Sequence, residues 1–401
     1  MISVPEVDQI LSQNLFKFDS MQLPLSEACV HVLREDLVAD RDCPAADRVL
    51  MDGIAINFST WEQGERSFMV QATQRAGEPP KTLEQNDNCI EVMTGSILPL
   101  GCDCVVPVED IEIVKGTARL SENFYLKKSQ FICSQGTDYR KDDVLVKQGT
   151  RLSPQVIAVA AAVGKATVAV SKKPKIAVIG TGDEIVDINQ SVEPYQTRGS
   201  NVFVLNAALK QNEFREVNCF HLKDDRDVMT KELRTILDTH DVLILSGGVS
   251  MGKFDFVPAV LKELSVEILF HKVKQRPGKP FLFGMADKEK PVFGLPGNPV
   301  STQICFYRYV LPYLKTFTRY QIPVTSNHVL LCENVEGLPG FTYFLPVAVM
   351  CSSNGQQMAA PMPHQTSGDY QALARATGFV ELVHGQNLFT AGTAVPYFEF
   401  R

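Results

Sequence analysis

No stretch of this 401-residue chain is long and apolar enough to cross a bilayer as a helix. The weakly polar run Val156–Val170 comes nearest, but it is Ala-rich and broken by Gly164 and Lys165. The first residues, MISVPEVDQILSQNLFKF, set charges among their apolar positions and lack the uninterrupted apolar core of a secretory signal, so a cytoplasmic location is expected. A basic excess is missing as well: 39 Lys and Arg stand against 46 Asp and Glu, a net charge of -7 that argues against general nucleic-acid binding. Zinc-knuckle spacing is absent. The 10 cysteines are scattered, the one close pair, Cys102 and Cys104, is C-x-C, and the thiols are expected to be reduced and mostly buried. Low-complexity linkers and internal repeats are not seen, so the domains should pack on one another.

What remains is an ordinary globular composition, 45% apolar and 21% charged, in a chain longer than one hydrophobic core usually organises. Residues 4 to 40 read as helical scaffold, with Leu23, Leu25, Ala28 and Val32 near helical spacing. From about 50 the pattern changes to short apolar runs (FMVQA, CIEVM, DCVVPVEDIEIV) punctuated by Gly, Pro and Asn, which predicts a β-rich module. LSPQVIAVAAAVG then predicts a helix with Ser153 and Pro154 at its start and Gly164 at its stop. Between 174 and 316, strand-like KIAVIG, REVNCFHL and DVLILS alternate with helix-like NVFVLNAALKQN, DVMTKELRTILDTH and FVPAVLKEL. That alternation predicts a mainly parallel sheet with helices on both faces and ligands at the carboxyl ends of its strands. Beyond Pro323, runs rich in Val, Phe and Tyr predict a β-barrel or sandwich. The expected division is a scaffold of 1–48 and 138–172, an inserted β-rich domain of 49–137, an α/β domain of 173–318, and a C-terminal β domain of 319–401.

Four unusual loops fall in or beside the α/β segment. Gly180-Thr181-Gly182-Asp183-Glu184 offers a tight turn, a hydroxyl and two carboxylates able to hold Mg²⁺ or orient a proton, although a bare G-x-G is more often plain punctuation. Ser246-Gly247-Gly248-Val249-Ser250-Met251-Gly252 suits phosphate binding at a helix N-terminus; no Gly-Lys-Ser/Thr follows, so it is not a P-loop. Asp255 just beyond it is read either as a first-turn helix residue or as a magnesium ligand. Arg276-Pro277-Gly278-Lys279-Pro280, within a basic cluster that includes Lys272 and Lys274, sets two cations around a rigid turn, a solvated turn being the plain alternative. Leu295-Pro296-Gly297-Asn298-Pro299-Val300-Ser301 places Asn298 and Ser301 among prolines, preorganised for an anion.

The strings MDGIAI (Met51 to Ile56), MTGSILP (Met93 to Pro99), GTGDEIV, SGGVSMGKFDFV, RPGKPFLFG and LPGNPVS resemble, in order, the motifs of the MoeA/gephyrin E-domain family of molybdopterin molybdenumtransferases. The resemblance implies an elongated homodimer, adenylylated molybdopterin and molybdate as substrates, and Mg²⁺-assisted cleavage of the pyrophosphate link with release of AMP. It further implies transient contact with the pterin adenylyltransferase and with acceptor molybdoenzymes. By resemblance, Asp52 and Thr94 of one subunit act with Glu184, Asp225, Asp255 and Lys279 of the other, with Glu184, Asp225 and Asp255 as metal ligands. Thr181, Gly182, Asp183, Ser246, Gly247, Gly248 and Ser250 would hold the substrate, Arg276 the anion, and Pro296, Asn298, Pro299 and Ser301 would frame the oxyanion pocket. Asp138 matches a family Gly-x-Asp position, and Ser367 resembles a pocket-lining serine.

Several positions depart from the family pattern. Ile54 replaces an aromatic, Val49-Leu50 a small pair, Arg276 a frequent lysine, Lys253 a position that is often acidic, and Ile132-Cys133-Ser134-Gln135 a basic stretch. The loss of that stretch keeps a second reading open, a carrier or scaffold paralogue that binds the pterin without turnover. The adenylyltransferase that makes the activated pterin shares the α/β domain, but its Gly-Gly-Thr-Gly loop does not match Gly247-Gly248-Val249-Ser250.

Overall fold

The computed structural model describes residues 1–15, 19–121, 124–250, 255–316, 327–362 and 369–400; Met251, Gly252, Lys253 and Ser367 lie outside them. The chain divides into two compact units, one of Met1–Gln22, Gly149–Arg151 and Ala169–Arg401, the other of Leu23–Gln148 and Leu152–Val168.

The first unit is built on a six-stranded sheet ordered Val217–Leu222, Ile176–Thr181, Val242–Ser246, Lys290–Leu295, Leu282–Ala286 and Glu267–His271. The first four strands are parallel and the last two join antiparallel, so the sheet is mainly rather than wholly parallel. Ile176–Thr181 and Val242–Ser246 are buried along their whole length, as strands covered on both faces must be. Alternate residues serve opposite faces. Ile176, Val178, Val242 and Ile244 pack with Leu205 and Leu209 of helix Ser200–Gln211 and with Val4, Val7 and Leu11 of the N-terminal helix. Ala177, Ile179, Leu243 and Leu245 pack with Met229, Leu233 and Ile236 of helix Arg226–Thr239 and with Val257, Val260 and Leu261 of helix Val257–Glu263. The N-terminal helix, Val4–Gln13, begins with a capping box between Ser3 and Glu6.

At the C-terminal end of the same unit, strands Thr342–Cys351, Gln357–Pro361, Asn327–Leu331, Ala394–Glu399 and Gly378–Leu382 pair in that order, and the last pairs back with the first. The ring closes into a small barrel around Val329, Leu331, Val347, Val380 and Leu382, which leaves its five strands without a free edge.

In the second unit a mixed six-stranded sheet runs Cys104–Pro107, Gly53–Ile56, Asn88–Val92, Ser67–Gln74, Thr117–Leu120 and Ile111–Val114. Ile54, Ile56, Phe68 and Val106 form its core. Helix Pro154–Ala162 starts at Ser153, whose hydroxyl accepts from the Val156 N–H at 3.3 Å.

Two expectations need correction. Residues 23 to 40 are not helical: strand Ser20–Pro24 leads into a 3₁₀ turn, Leu25–Glu27, and Val30 takes a positive φ of 68°. Backbone bonds from Val30 N–H to Leu152 C=O (2.8 Å) and from Ala39 N–H to Asp143 C=O (2.9 Å) satisfy this segment across the chain instead. The apolar spacing there records burial of Ala28, Val32, Leu33 and Leu37, not helical period. The thiols are also less buried than expected: Cys89, Cys102, Cys104 and Cys305 are buried, whereas Cys29, Cys219, Cys332 and Cys351 are exposed. Among the described residues no helix is long and apolar enough to cross a membrane.

Candidate active site

The carboxyl ends of the parallel strands open into a cavity of about 810 Å³ within the first unit. Thr181, Gly182 and Glu184 line it from the first strand's loop, Ser246, Gly247, Gly248 and Ser250 from the third, and Pro296 and Pro299 from the loop after Leu295. Gly247 sits at φ 102°, and a Cβ there would stand 2.5 Å from the Thr181 carbonyl, so two glycine-bearing loops meet backbone to backbone. Thr181 is buried at 3% exposure, and its hydroxyl has no hydrogen-bond partner among the described residues. Behind them Asn201 donates to the Ser246 hydroxyl at 2.9 Å and to the Gly297 carbonyl at 2.8 Å, tying three loops together. The Ser246 hydroxyl donates in turn to the Pro296 carbonyl at 3.2 Å. Gly199, Ser200 and Asn201, which open helix Ser200–Gln211, also face the cavity. No side chain caps this helix, so its first-turn N–H groups and positive dipole end are presented to an anion.

The acidic side of the cavity centres on Asp224. One of its carboxylate oxygens is buried without a hydrogen-bond partner among the described residues, and its backbone N–H donates to Asp183 at 3.2 Å. Burial raises its pKa above the ordinary aspartate value, and the neighbouring charges of Asp183, Glu184 and Asp255 raise it further. Glu184 and Asp255 line the cavity with it. Asp255 precedes helix Val257–Glu263, whose N-cap position is Phe256 and carries no side-chain cap. Asp225 is committed elsewhere: it caps helix Arg226–Thr239, accepting from the N–H groups of Asp227 and Val228 at 3.0 Å each. Among the described residues no three carboxylates, cysteines or histidines form a ready cation cage. Magnesium does not require one, since it usually takes one or two carboxylates and completes its shell with water and substrate phosphate. An orphaned carboxylate oxygen among like charges is therefore a fitting donor for it.

The remaining residues singled out from sequence fall in three places. Arg276 and Lys279 are exposed and do not line the cavity, whose edge on that side is Pro280. The Arg276 guanidinium lies 5.1 Å from the centre of the Phe341 ring. Asn298 caps helix Pro299–Cys305, accepting from the Ser301 N–H at 3.2 Å and the Ser301 hydroxyl at 3.3 Å. In the second unit Asp52 accepts from the Thr94 N–H at 2.6 Å and hydroxyl at 2.7 Å. Those two bonds, the backbone one first, hold the Asp52 carboxyl below the usual aspartate range. Asp138 lies beside the Cys43 thiol, 3.7 Å away.

Sequence reading passed over Asp224, Asn201, Tyr370 and His221. Tyr370 reaches the cavity from helix Tyr370–Arg375, its hydroxyl 2.5 Å from that of Ser200. His221 bonds the Gly182 carbonyl at 3.0 Å. The Gly199-Ser200-Asn201 start of a helix with no capping side chain is a signal that could have pointed to Asn201; nothing local marks Tyr370.

A mainly parallel sheet, with glycine loops, an uncapped helix and a carboxylate cluster lining one cavity at its carboxyl ends, defines the class: an α/β protein with a site suited to an anion. Models of known families match most of the chain: the MoeA N-terminal region (domain I and II) matches residues 2–164, a probable molybdopterin binding domain 177–316, and the MoeA C-terminal region (domain IV) 329–400. The chain is 35% identical to a molybdopterin molybdenumtransferase of Synechocystis sp., over 99% of this chain and 100% of that protein. It is 32% identical to one of Staphylococcus aureus, over 98% and 94% respectively. Two solved structures of molybdopterin biosynthesis MoeA proteins from Pyrococcus horikoshii superpose with TM-scores of 0.85 and 0.80 at 27% and 25% identity. They cover 100% of this chain, and it covers 99% and 100% of them. The chain belongs to the MoeA family.

Proposed function

We propose that this protein is a molybdopterin molybdenumtransferase of molybdenum cofactor biosynthesis, acting as a cytoplasmic homodimer. Its substrates are adenylylated molybdopterin and molybdate; the pyrophosphate link breaks, AMP leaves, and molybdenum joins the pterin dithiolene. The observation that carries this reading is that one cavity is lined both by anion-receptive backbone and by Asp224, a half-buried carboxylate with one oxygen buried and unpartnered among the described residues. Gly247, Gly248, Ser250 and the start of helix Ser200–Gln211 receive phosphate through backbone N–H groups and the helix dipole. The Thr181 hydroxyl is a further donor, and Ser246 and Asn201 keep these loops in place. Asp224, with Glu184 and Asp255, would hold Mg²⁺, which supplies charge neutralisation at the phosphate oxygens. In this reading Asp224 takes the ligand role that the resemblance alone assigns to Asp225, whose carboxylate is engaged as a helix cap. Arg276 and Lys279 add positive charge for the anionic substrate, Pro296, Asn298, Pro299 and Ser301 shape its pocket, and Asp52 with Thr94 completes the site from the second subunit. Cleavage of this kind needs positioning and charge neutralisation more than a covalent nucleophile.

The test is AMP release from adenylylated molybdopterin, Mg²⁺ and the purified chain, with and without molybdate. Molybdate-dependent AMP formation is expected. Tight pterin binding without AMP would instead identify a carrier.

A further inference from the structure

The turn Arg276–Pro280 carries two exposed cations on a backbone of glycine and prolines, and a single buried amide braces it from beneath. Gln275, immediately before the turn, is fully buried. Its side-chain N–H₂ donates to the carbonyls of Pro277 at 3.3 Å and Gly278 at 3.2 Å, and lies 3.4 Å from the Cys305 sulfur. Its carbonyl oxygen accepts from the Tyr309 hydroxyl at 2.5 Å, and Tyr309 is itself 1% exposed. The amide thus directs its donors at the turn and is oriented through its acceptor by the π-helical segment Phe306–Val310.

The fit is close. Gly278 has φ 92°, and a Cβ there would come within 2.6 Å of both the Cys305 sulfur and the Gln275 nitrogen. The base of the turn is fastened independently, by Val273 N–H to Lys279 C=O at 2.9 Å and by parallel pairing of Gln275 and Arg276 with Thr342 and Tyr343 of the barrel. Phe281, just past the turn, stacks on the Tyr309 ring at 4.9 Å and 15°. Core packing would be served as well by an apolar residue at 275. An amide serves better only if the carbonyls of the turn must be held in one orientation, because a buried carbonyl left without a donor is costly.

We propose that Gln275, oriented by Tyr309, is a positioning residue that sets the directions of Arg276 and Lys279 toward the anionic substrate. The inference rests on the role given to those cations under the proposed function. It is tested on the whole 401-residue chain by measuring KM for molybdate and for adenylylated molybdopterin, together with kcat, in Gln275→Leu, Tyr309→Phe, Arg276→Gln, Lys279→Met, Arg276→Gln/Lys279→Met and the triple variant Gln275→Leu/Arg276→Gln/Lys279→Met. For whichever substrate shows a raised KM in Lys279→Met, Gln275→Leu and Tyr309→Phe are expected to raise KM about tenfold, a loss of ~1.4 kcal/mol in binding, and to change kcat less than about threefold. The triple variant is expected to be no worse than Arg276→Gln/Lys279→Met, since Gln275 then has neither cation left to position. If Lys279→Met is damaging but Gln275→Leu and Tyr309→Phe leave KM unchanged, or the triple variant shows the product of the Gln275→Leu and Arg276→Gln/Lys279→Met effects, the positioning role is overturned and the cation role stands. If Arg276→Gln and Lys279→Met are both silent, the cation role falls and the positioning role with it. Should Gln275→Leu fail to fold, Tyr309→Phe decides, because it removes one hydroxyl and preserves the ring.

Discussion

Asp224 and Asp225 show how one residue of register separates two physical roles. Asp225 satisfies two orphan N–H groups at a helix start, so Asp225→Ala is expected to lower stability by about 1 kcal/mol in a denaturant titration and leave the proposed Mg²⁺ dependence of AMP release intact. Asp224 behaves oppositely. Its carboxyl has a raised pKa, so the folded state binds that proton more tightly than the unfolded chain does, and ionisation at neutral pH works against folding. Asp224→Asn should therefore raise the Tm in metal-free buffer while lowering kcat by about a hundredfold at saturating substrates. In the parent enzyme, protons should compete with Mg²⁺ for this carboxylate. The half-saturating Mg²⁺ concentration should rise as pH falls toward the Asp224 pKa, which lies above the ordinary aspartate value, and Asp224→Asn should flatten that dependence. The sequence displays two adjacent aspartates and no way to see which oxygen is left unpartnered; the helix read from Asp227 begins one residue earlier, at Arg226, and that start makes Asp225 the N-cap.

At the scale of elements, legibility followed period. The strands Ile176–Thr181 and Val242–Ser246 and the helix Arg226–Thr239 were visible because uninterrupted apolar runs and a 3.6-residue stripe have few alternatives at their lengths. Residues 23 to 40 misled because Leu23, Leu25, Ala28 and Val32 mimic a helical spacing, whereas their segment is ordered by long-range backbone bonds that no local pattern contains. A long-range tie is equally hidden at Arg308. It lies in the π-helical segment, reaches Asp8 of the N-terminal helix through two bonds of 2.8 Å, and meets Glu381 of the barrel at 2.9 Å. Its guanidinium also lies 4.9 Å and 5.0 Å from the ring centres of Tyr309 and Phe398. Arg308→Met strands Glu381, whose side chain is only 12% exposed, and is expected to cost roughly 3 kcal/mol, seen as a lowered Tm. Adding Glu381→Gln should recover much of that loss. If the second change deepened the loss instead, the cost would lie in packing around Arg308 and not in the stranded charge.

At the scale of the whole molecule, the residues assigned to one reaction come from both compact units: Asp52 and Thr94 from the unit containing Leu23–Gln148, and Glu184, Asp224 and Asp255 from the other. Asp52 already accepts two short bonds from Thr94, which keep it ionised and directed, and its depressed pKa means this interaction is lost only as pH falls through that lowered value. A fixed carboxylate in a unit of its own is the kind of group a two-fold dimer can contribute to a neighbouring subunit's cavity. This makes complementation between chains the decisive measurement. Asp52→Ala and Asp255→Ala should each be inactive as homodimers. Unfolded and refolded together in equal amounts, half of the dimers should be mixed, and each mixed dimer should hold one site with both carboxylates intact, giving about a quarter of parent activity. Two different affinity tags would prove that the heterodimers formed. Activity near that level would place Asp52 and Asp255 on different chains of one site. An inactive heterodimer would put both on the same chain, because then each subunit of the mixture lacks one of them.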